Sequence, residues 1–262
     1  MKIVVKIGGA ALESPEVLRN CARAVADLAG VGHQVAVVHG GGVALTRTLA
    51  QLGKKSNFVN GLRVTDSETR DVALMVLAGQ INKAVVAALG AAGQTAMGMC
   101  GGDGLAFRAR KKTSAPGCDL GYVGEITAVE PRWLNAIWAN GAIPVISSIA
   151  LGSDGQYYNI NADQMAAACA VGCKANALIF LTDVPGVKGA DGAVIRWLDI
   201  KQIPVLKENA VISGGMLPKL EACQQALRSG VGRVRILPAS EAGMLPQLYF
   251  SKIDCGTEVT VQ

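Results

Sequence analysis

The sequence predicts an α/β protein whose mainly parallel sheet lies between two layers of helix. Three observations carry this: short β-branched runs that end in glycine, amphipathic helices spaced between them, and an apolar composition. Half of the 262 residues are hydrophobic and only 17% are charged, with a mean hydropathy of +0.33. Strands covered on both faces read as continuous apolar runs, which this composition matches. The length suits one large domain or two joined lobes, and a soft division falls near residue 172.

The first strand is Lys2-Ile3-Val4-Val5-Lys6-Ile7, which stops at Gly8-Gly9. Ser14-Pro15-Glu16 reads as an N-cap with proline at the first helical position, opening a helix to about Ala29. Val35 to Val38 is the second strand, and His39-Gly40-Gly41-Gly42 leads from it into a helix through Leu52. Thr65-Asp66-Ser67-Glu68 has capping-box spacing and starts a long apolar helix toward Leu89. A third strand covers Thr95 to Met99, and the turn-rich stretch from Gly101 to Gly124 reads as β-hairpins projecting from the sheet. A helix at Pro131–Asn140 and a core strand at Ile143–Ser147 follow, then a hairpin turn at Ser153-Asp154-Gly155-Gln156. An Ala-rich helix runs to about Val171, and a strand from Leu178 to Leu181 ends at Thr182-Asp183-Val184-Pro185-Gly186. Helices near Ile200–Asn209 and Leu217–Ser229 precede strands at Arg233–Leu237 and Thr257–Val261.

Composition narrows the function. The formal charge of +5 is modest and spread out, and four Phe, four Tyr and three Trp leave few stacking platforms, so no nucleic-acid partner is expected. No apolar run of membrane-spanning length is free of Gly, Pro, Asn or charge, and a strand begins within a few residues of Met1. Neither a membrane span nor a leader peptide is therefore expected. The seven cysteines show no Cys-x-x-Cys spacing, and Cys21, Cys169 and Cys223 fall in apolar helical patterns as small core residues. The expectation is a reduced, cytoplasmic protein. Two histidines, His33 and His39, cannot build a histidine-based metal site, so no protein-held metal is expected.

The glycine motifs narrow it further. His39-Gly40-Gly41-Gly42 could supply oxyanion-hole N–H groups, but no G-x-S-x-G nucleophile elbow accompanies it. G-x-G-x-x-G and the Walker pattern are absent too. What remains is a glycine-preceded helix start suited to a carboxylate or phosphate, or a tight structural turn. Asp163 opens a helix within Asn159-Ile160-Asn161-Ala162-Asp163, either as its cap or as an acid for a site. In Ser213-Gly214-Gly215-Met216-Leu217-Pro218-Lys219 glycines again lead into a helix with a lysine one turn inside. Two glycine–lysine units, Lys6 and Lys219, with an acid able to hold both, point to a clamp on phosphoryl oxygens.

These residues resemble the amino-acid kinase family over essentially the whole chain. The resemblance rests on six ordered motifs: Val5–Gly9, Val38–Gly42, Asn60–Thr65, Tyr158–Asp163, Leu181–Gly186 and Ser213–Lys219. It implies a three-layer αβα sandwich around a mainly parallel eight-stranded sheet. The N-terminal lobe (1–172) would take the acyl acceptor and support dimerisation, and the C-terminal lobe (173–262) would take ATP. The implied reaction is ATP-dependent phosphorylation of the γ-carboxylate of N-acetyl-L-glutamate, with Mg²⁺ carried on the nucleotide phosphates. Lys6 and Lys219 would hold the transferred phosphoryl group, Asp163 would orient both, and N–H groups around Gly8, Gly9 and Gly41 would receive phosphate oxygens. Arg63 and Asn159, with backbone near Gly41 and Gly42, would hold the acceptor. Thr182, Asp183, Val184, Gly186, Val187 and Lys188, with Val211, Ile212 and Ser213, would border the purine and ribose. Lys188 departs from the family pattern, where an apolar residue is common after the Val-Pro-Gly turn. The attacking carboxylate is already ionised at neutral pH, so no general base is needed, in keeping with a chain poor in histidine.

The resemblance also implies a homodimer through the Thr65–Leu89 helix region. Arginine-inhibited members carry an extra N-terminal helix, and only five residues precede Lys6, so strong arginine inhibition is not expected. Acetylglutamate and a one-methylene homologue both remain open as acceptor. Kinases of a carrier-linked aminoadipate also resemble the chain, but they tend to replace the third glycine of the His39–Gly42 run and to insert residues before the substrate arginine, and neither change appears. A non-catalytic sensor is the alternative from another class, and retention of Lys6, Lys219 and Asp163 together argues against it.

Overall fold

The first strand, β1 (Lys2–Ile7), sits inside an eight-stranded sheet because every residue after Lys2 has its side chain buried. The computed structural model describes residues 1–113, 119–247 and 255–261. In chain order the elements after β1 are α1 (Pro15–Gly30), β2 (Gln34–His39), α2 (Gly42–Gln51), the hairpin β3 (Phe58–Val59) and β4 (Leu62–Arg63), and α3 (Ser67–Ala73). A π-helical segment, Leu74–Ile81, joins α3 to α4 (Asn82–Ala91). Then come β5 (Ala96–Met99), β6 (Phe107–Lys111), β7 (Val123–Val129), α5 (Arg132–Ala139), β8 (Ile143–Ser147), β9 (Ile149–Gly152), β10 (Tyr157–Ile160) and α6 (Ala162–Gly172). The chain closes with β11 (Ala177–Thr182), β12 (Trp197–Asp199), α7 (Ile203–Glu208), α8 (Met216–Arg228), β13 (Arg233–Pro238) and β14 (Thr257–Thr260).

The sheet order is β12-β14-β13-β11-β1-β2-β8-β5, and only the β13–β14 pair is antiparallel. Side chains alternate across each strand and so sort into two cores. Ile3, Val5 and Ile7 pack with Val25 and Leu28 of α1 and Val85 and Leu89 of α4. Val4, Ala36 and Val38 pack on the other face, against Met165 and Ala166 of α6 and Leu220 and Cys223 of α8. Lys6 shares Val4's parity, so it emerges on the face that carries α6 and α8. That alternation places the site.

The predicted sandwich and sheet are present, with differences that have local causes. Ser14 caps α1 by accepting from Val17 N–H at 3.3 Å, with proline in the first turn, as expected. Asp66, not Thr65, caps α3, accepting from Thr69 N–H at 2.8 Å. The long helix runs to Ala91 but carries the π-helical insertion, which apolar periodicity does not reveal. By length and composition alone Ser67–Ala91 could cross a membrane, with a mean hydropathy of 1.8 over an 18-residue stretch, but it is interrupted by Gly79, Asn82 and Lys83, and 44% of that stretch is buried in the fold, as in a core helix. The expected hairpins belong to a closed four-stranded barrel, β10-β7-β6-β9, rather than projecting freely. Its strand β7 continues past Gly124 to Val129, and residues 114–118 of the stretch lie outside the described residues. Cys21, Cys169 and Cys223 are core residues, each with no exposed surface.

One point where the segment leading into the barrel meets the rest is Thr65, whose carbonyl accepts from Tyr122 N–H at 2.6 Å. Gly121 makes that approach, with φ of +66° and room for no Cβ: one would lie 2.1 Å from Thr65 O. A left-handed non-glycine residue costs about 1–3 kcal/mol before any clash. Gly121→Ala is therefore expected to lose about 2 kcal/mol or more in urea unfolding, whereas Gly155→Ala, left-handed but with open space around it, should lose less.

Candidate active site

Asp163 is the hub. It sits in the first turn of α6, where Asn161 does the capping, accepting from Asp163 N–H at 2.9 Å and Gln164 N–H at 3.2 Å. With the cap role taken, the Asp163 carboxylate turns to two lysines. Lys6 Nζ lies 2.9 Å from Oδ1, and Lys219 Nζ lies 3.1 Å from Oδ1 and 3.0 Å from Oδ2. All three residues are buried. Lys219 reaches inward from the first turns of α8 and lies 5.1 Å from the Phe180 ring centroid. Lys6 folds back over Gly8, where a Cβ would lie 2.1 Å from Lys6 Nζ and displace the ammonium group from its present place.

Burial alone would raise the Asp163 carboxyl, but the ammonium groups of Lys6 and Lys219 overcome it and hold the group below its ordinary value. Burial and the like charge of Lys6 pull Lys219 below the ordinary lysine value, against the attraction of Asp163. Two ammonium groups and one carboxylate leave a buried excess of positive charge. An anion placed there relieves the repulsion between the lysines and gains charge-assisted hydrogen bonds.

A cavity of about 380 Å³ opens beside this cluster and is lined by Lys6 and Asp163, by Gly41 and Gly42, and by Arg63. Arg63, on β4, is buried. Its Nη2 donates to Gly42 O at 3.0 Å and Thr46 Oγ1 at 2.7 Å, and its Nη1 donates to Ser56 Oγ. The guanidinium stacks on Phe58, its cross-strand partner, at 4.6 Å. Among the described residues no carboxylate forms an ion pair with it. Asn159 enters an adjoining cavity that shares the glycines and Arg63, and its Nδ2 donates to Thr65 Oγ1 at 3.3 Å. The cavity beside the cluster is thus lined by two cationic side chains, Lys6 and Arg63.

Residues 1–238 match the profile of the amino acid kinase family. The chain belongs to the amino acid kinase family. Similar members of this family include two bacterial proteins named acetylglutamate kinase. That of Acidobacterium capsulatum is 68% identical over 259 residues, 99% of each chain. That of Koribacter versatilis is 57% identical over 259 residues, 99% of this chain and 98% of the other. Among solved structures, N-acetylglutamate synthase from Neisseria gonorrhoeae, complexed with coenzyme A and N-acetyl-glutamate, superposes with a TM-score of 0.88. It is 26% identical and spans 100% of this chain but 59% of its own. The smu.665 protein of Streptococcus mutans gives a TM-score of 0.84 at 29% identity, covering 100% of this chain and 99% of that one.

Within this family frame, the structure brings together Lys6, Asp163, Lys219, Gly41, Gly42 and Arg63, with Asn159 beside them. Gly9 lies next to Asp183, where an added Cβ would stand 3.5 Å from the carboxyl group. Thr182 Oγ1 donates to Asp183 Oδ1 at 3.1 Å. Val187 and Ile212 are different: both side chains belong to the apolar core, and Val187 N–H donates to Thr257 Oγ1 at 2.9 Å. Asp183, Lys188 and Ser213 are exposed, and Val184 and Val211 are half-buried. Sequence reasoning missed Thr65, which orients Asn159, and Phe58, which carries Arg63; the short β3–β4 spacing around Asn60-Gly61 was the available signal. It also missed Asn161, which caps α6 in place of Asp163 two residues on.

Because the folded pKa of Asp163 lies below its unfolded value, its stabilisation is complete above about pH 3.9. It is lost as pH falls through the still lower folded value. Asp163→Asn is expected to lose about 3–5 kcal/mol at pH 7, since it leaves two buried cations uncompensated. Calorimetry from pH 7 downward should show the gap to wild type narrowing below about pH 4. A pH-independent gap would contradict this charge assignment.

Proposed function

We propose that the chain transfers the γ-phosphoryl group of ATP to the γ-carboxylate of N-acetyl-L-glutamate, forming N-acetyl-L-glutamyl 5-phosphate and ADP in arginine biosynthesis. The observation that carries this reading is the shared cavity, lined by Lys6 and Asp163 of the cluster and also by Arg63, which is buried and forms no ion pair with an acid among the described residues. An acceptor with two carboxylates at either end of a short chain fits between Lys6 and Arg63. Arg63 holds its α-carboxylate as a planar fork, with Asn159 and the backbone of Gly41 and Gly42 completing the grip. The names of the relatives support the same acceptor.

The side-chain carboxylate is ionised at neutral pH, so one of its oxygens attacks the γ-phosphorus with no proton to remove. The bond to the bridging oxygen of ADP breaks as the new P–O bond forms. Lys6 and Lys219 neutralise charge on the transferring group, and Asp163 keeps both ammonium groups aimed at it. N–H groups at Gly8, Gly9 and Gly41 receive phosphate oxygens. The nucleotide lies in the C-terminal lobe (173–262), with Thr182–Lys188 and Val211–Ser213 at its purine and ribose, and the acceptor lies in the N-terminal lobe (1–172). The described residues hold no cluster of three His, Cys, Asp or Glu that could bind a metal. Mg²⁺ accordingly enters this reading on the nucleotide phosphates, where it offsets their charge. The working form is a cytoplasmic homodimer assembled through the 65–89 helix region, with no nucleic acid and no membrane among its partners.

Trapping with hydroxylamine tests the reaction: with ATP, Mg²⁺ and N-acetylglutamate, wild type should accumulate the hydroxamate. No hydroxamate would refute the kinase reading. Lys6→Ala and Lys219→Ala should each lower kcat by about a hundredfold or more, the cost of removing a charge-stabilising donor of about 3 kcal/mol. Full activity in either variant would refute the role assigned to that lysine.

A further inference from the structure

His39 and Asn82 are fully buried polar side chains that the mechanism above does not use. His39 ends β2, directly before the glycine turn, and Asn82 opens α4 directly after the π-helical segment. Asn82 Nδ2 lies 3.0 Å from Val145 O, 3.4 Å from Met99 O and 3.0 Å from His39 Nε2. Carbonyl oxygens only accept, so the nitrogen of this amide must face them, and its second hydrogen goes to the imidazole. Asn82 Oδ1 on the other side accepts from Lys83 Nζ at 3.1 Å. The strand β5 is built around this amide: a Cβ on Gly98 would lie 2.0 Å from Oδ1.

The consequence for His39 is a single protonation state. Nε2 accepts from Asn82 and therefore carries a lone pair, so the proton sits on Nδ1, which lies 2.8 Å from Gly40 O and donates to it. A peptide unit is planar and trans, so its C=O and N–H point in opposite directions. Holding Gly40 O toward the imidazole aims Gly41 N–H away from it. None of the described residues accepts from that N–H. Gly41 has φ of +148°, which only glycine takes readily, and Leu77 and Ile81 of the π-helical segment close its other side, 2.8 and 3.2 Å from where a Cβ would be.

We propose that Asn82 is a positioning residue for phosphoryl transfer: through the Nδ1–H tautomer of His39 it locks the Gly40–Gly41 peptide so that Gly41 N–H stays presented to the transferring group. This rests on the kinase reading above. Burial pulls His39 down to about 4, opposed by its bond to Gly40 and reinforced by the like charges of Lys6 from β1 and Lys83 from α4. From β8, the residue in register with His39 is the non-titrating Ser147. The imidazole therefore stays neutral, and the lock unchanged, around neutral pH.

The chain has two histidines, so ¹⁵N spectra of the full-length protein resolve both, and His33→Gln assigns them. The expected His39 signals are a protonated Nδ1 and an unprotonated Nε2, unchanged from about pH 5.5 to about pH 8.5. Asn82→Leu, which removes the donor, should lower kcat for hydroxamate formation about tenfold or more while KM for ATP changes by less than about threefold. Asn82→Asp accepts but cannot donate, so it draws a second proton onto His39; kcat should then gain an ionisation that wild type lacks. A wild-type His39 that is protonated at Nε2 alone, or that titrates near its ordinary value, overturns the proposal. So does a folded Asn82→Leu protein with wild-type kcat. The spectra need no activity, so they decide the tautomer even if a variant fails to fold, and absence of hydroxamate from wild type would fault the kinase reading separately.

Discussion

Two ammonium groups share one buried carboxylate at the Lys6–Asp163–Lys219 cluster, and the surrounding backbone is arranged to keep that imbalance in place. Isolated buried charges are costly, and even a paired one is tolerated only with good geometry and satisfied hydrogen bonds. Each partner here comes from a different element with its own constraint. Strand alternation puts Lys6 on the α6–α8 face, and Gly8 leaves it room to curl back. Asn161 takes over the helix cap and frees Asp163 to pair. The first turns of α8 bring Lys219 in over Phe180. The surplus positive charge is the feature that asks for an anionic ligand.

Arg63 repeats the logic at the far side of the cavity with a different chemistry. Its guanidinium is supported by Gly42, Thr46, Ser56 and Phe58, none of which carries charge. Burial pulls it below its ordinary value, but not far enough to matter for a group that stays protonated in proteins. Gly41 lines the same cavity as both cationic side chains. Its conformation is available only to glycine, and it is pressed from one side by the π-helical segment. The Lys6–Asp163 side and the Arg63 side of the cavity are thus joined through a three-residue glycine turn that directly follows His39.

Much of this was legible in the sequence. The strands ending in glycine, the Ser14-Pro15 helix start, the two lysine units and Asp163 all follow from local rules, since apolar period and capping chemistry act over a few residues. What was not legible is set by tertiary context. The π-helical insertion changes helix register without changing composition, so Asn82 reads as an ordinary helix residue until β5, β8 and His39 are packed around it. Ser67–Ala91 is apolar because it covers the core and the glycine turn together. The strands β9 and β12 are too short for an alternating pattern to emerge, and only pairing in the barrel and the sheet defines them. Val187 and Ile212 lie among predicted nucleotide-bordering residues, yet both serve the apolar core. A motif locates a segment, and the packing decides which of its side chains face outward.

The central claim is that the lysine pair acts on charge that develops during transfer, beyond its attraction for bound ATP. The most direct measurement compares, in wild type and Lys219→Met, the affinity for MgATP with that for MgADP plus aluminium fluoride and N-acetylglutamate, a mimic of the transferring phosphoryl group. Differential stabilisation predicts a few-fold loss for MgATP and about a hundredfold loss for the mimic, on the order of 3 kcal/mol. Equal losses for both would mean that Lys219 only binds nucleotide, and the account would be wrong.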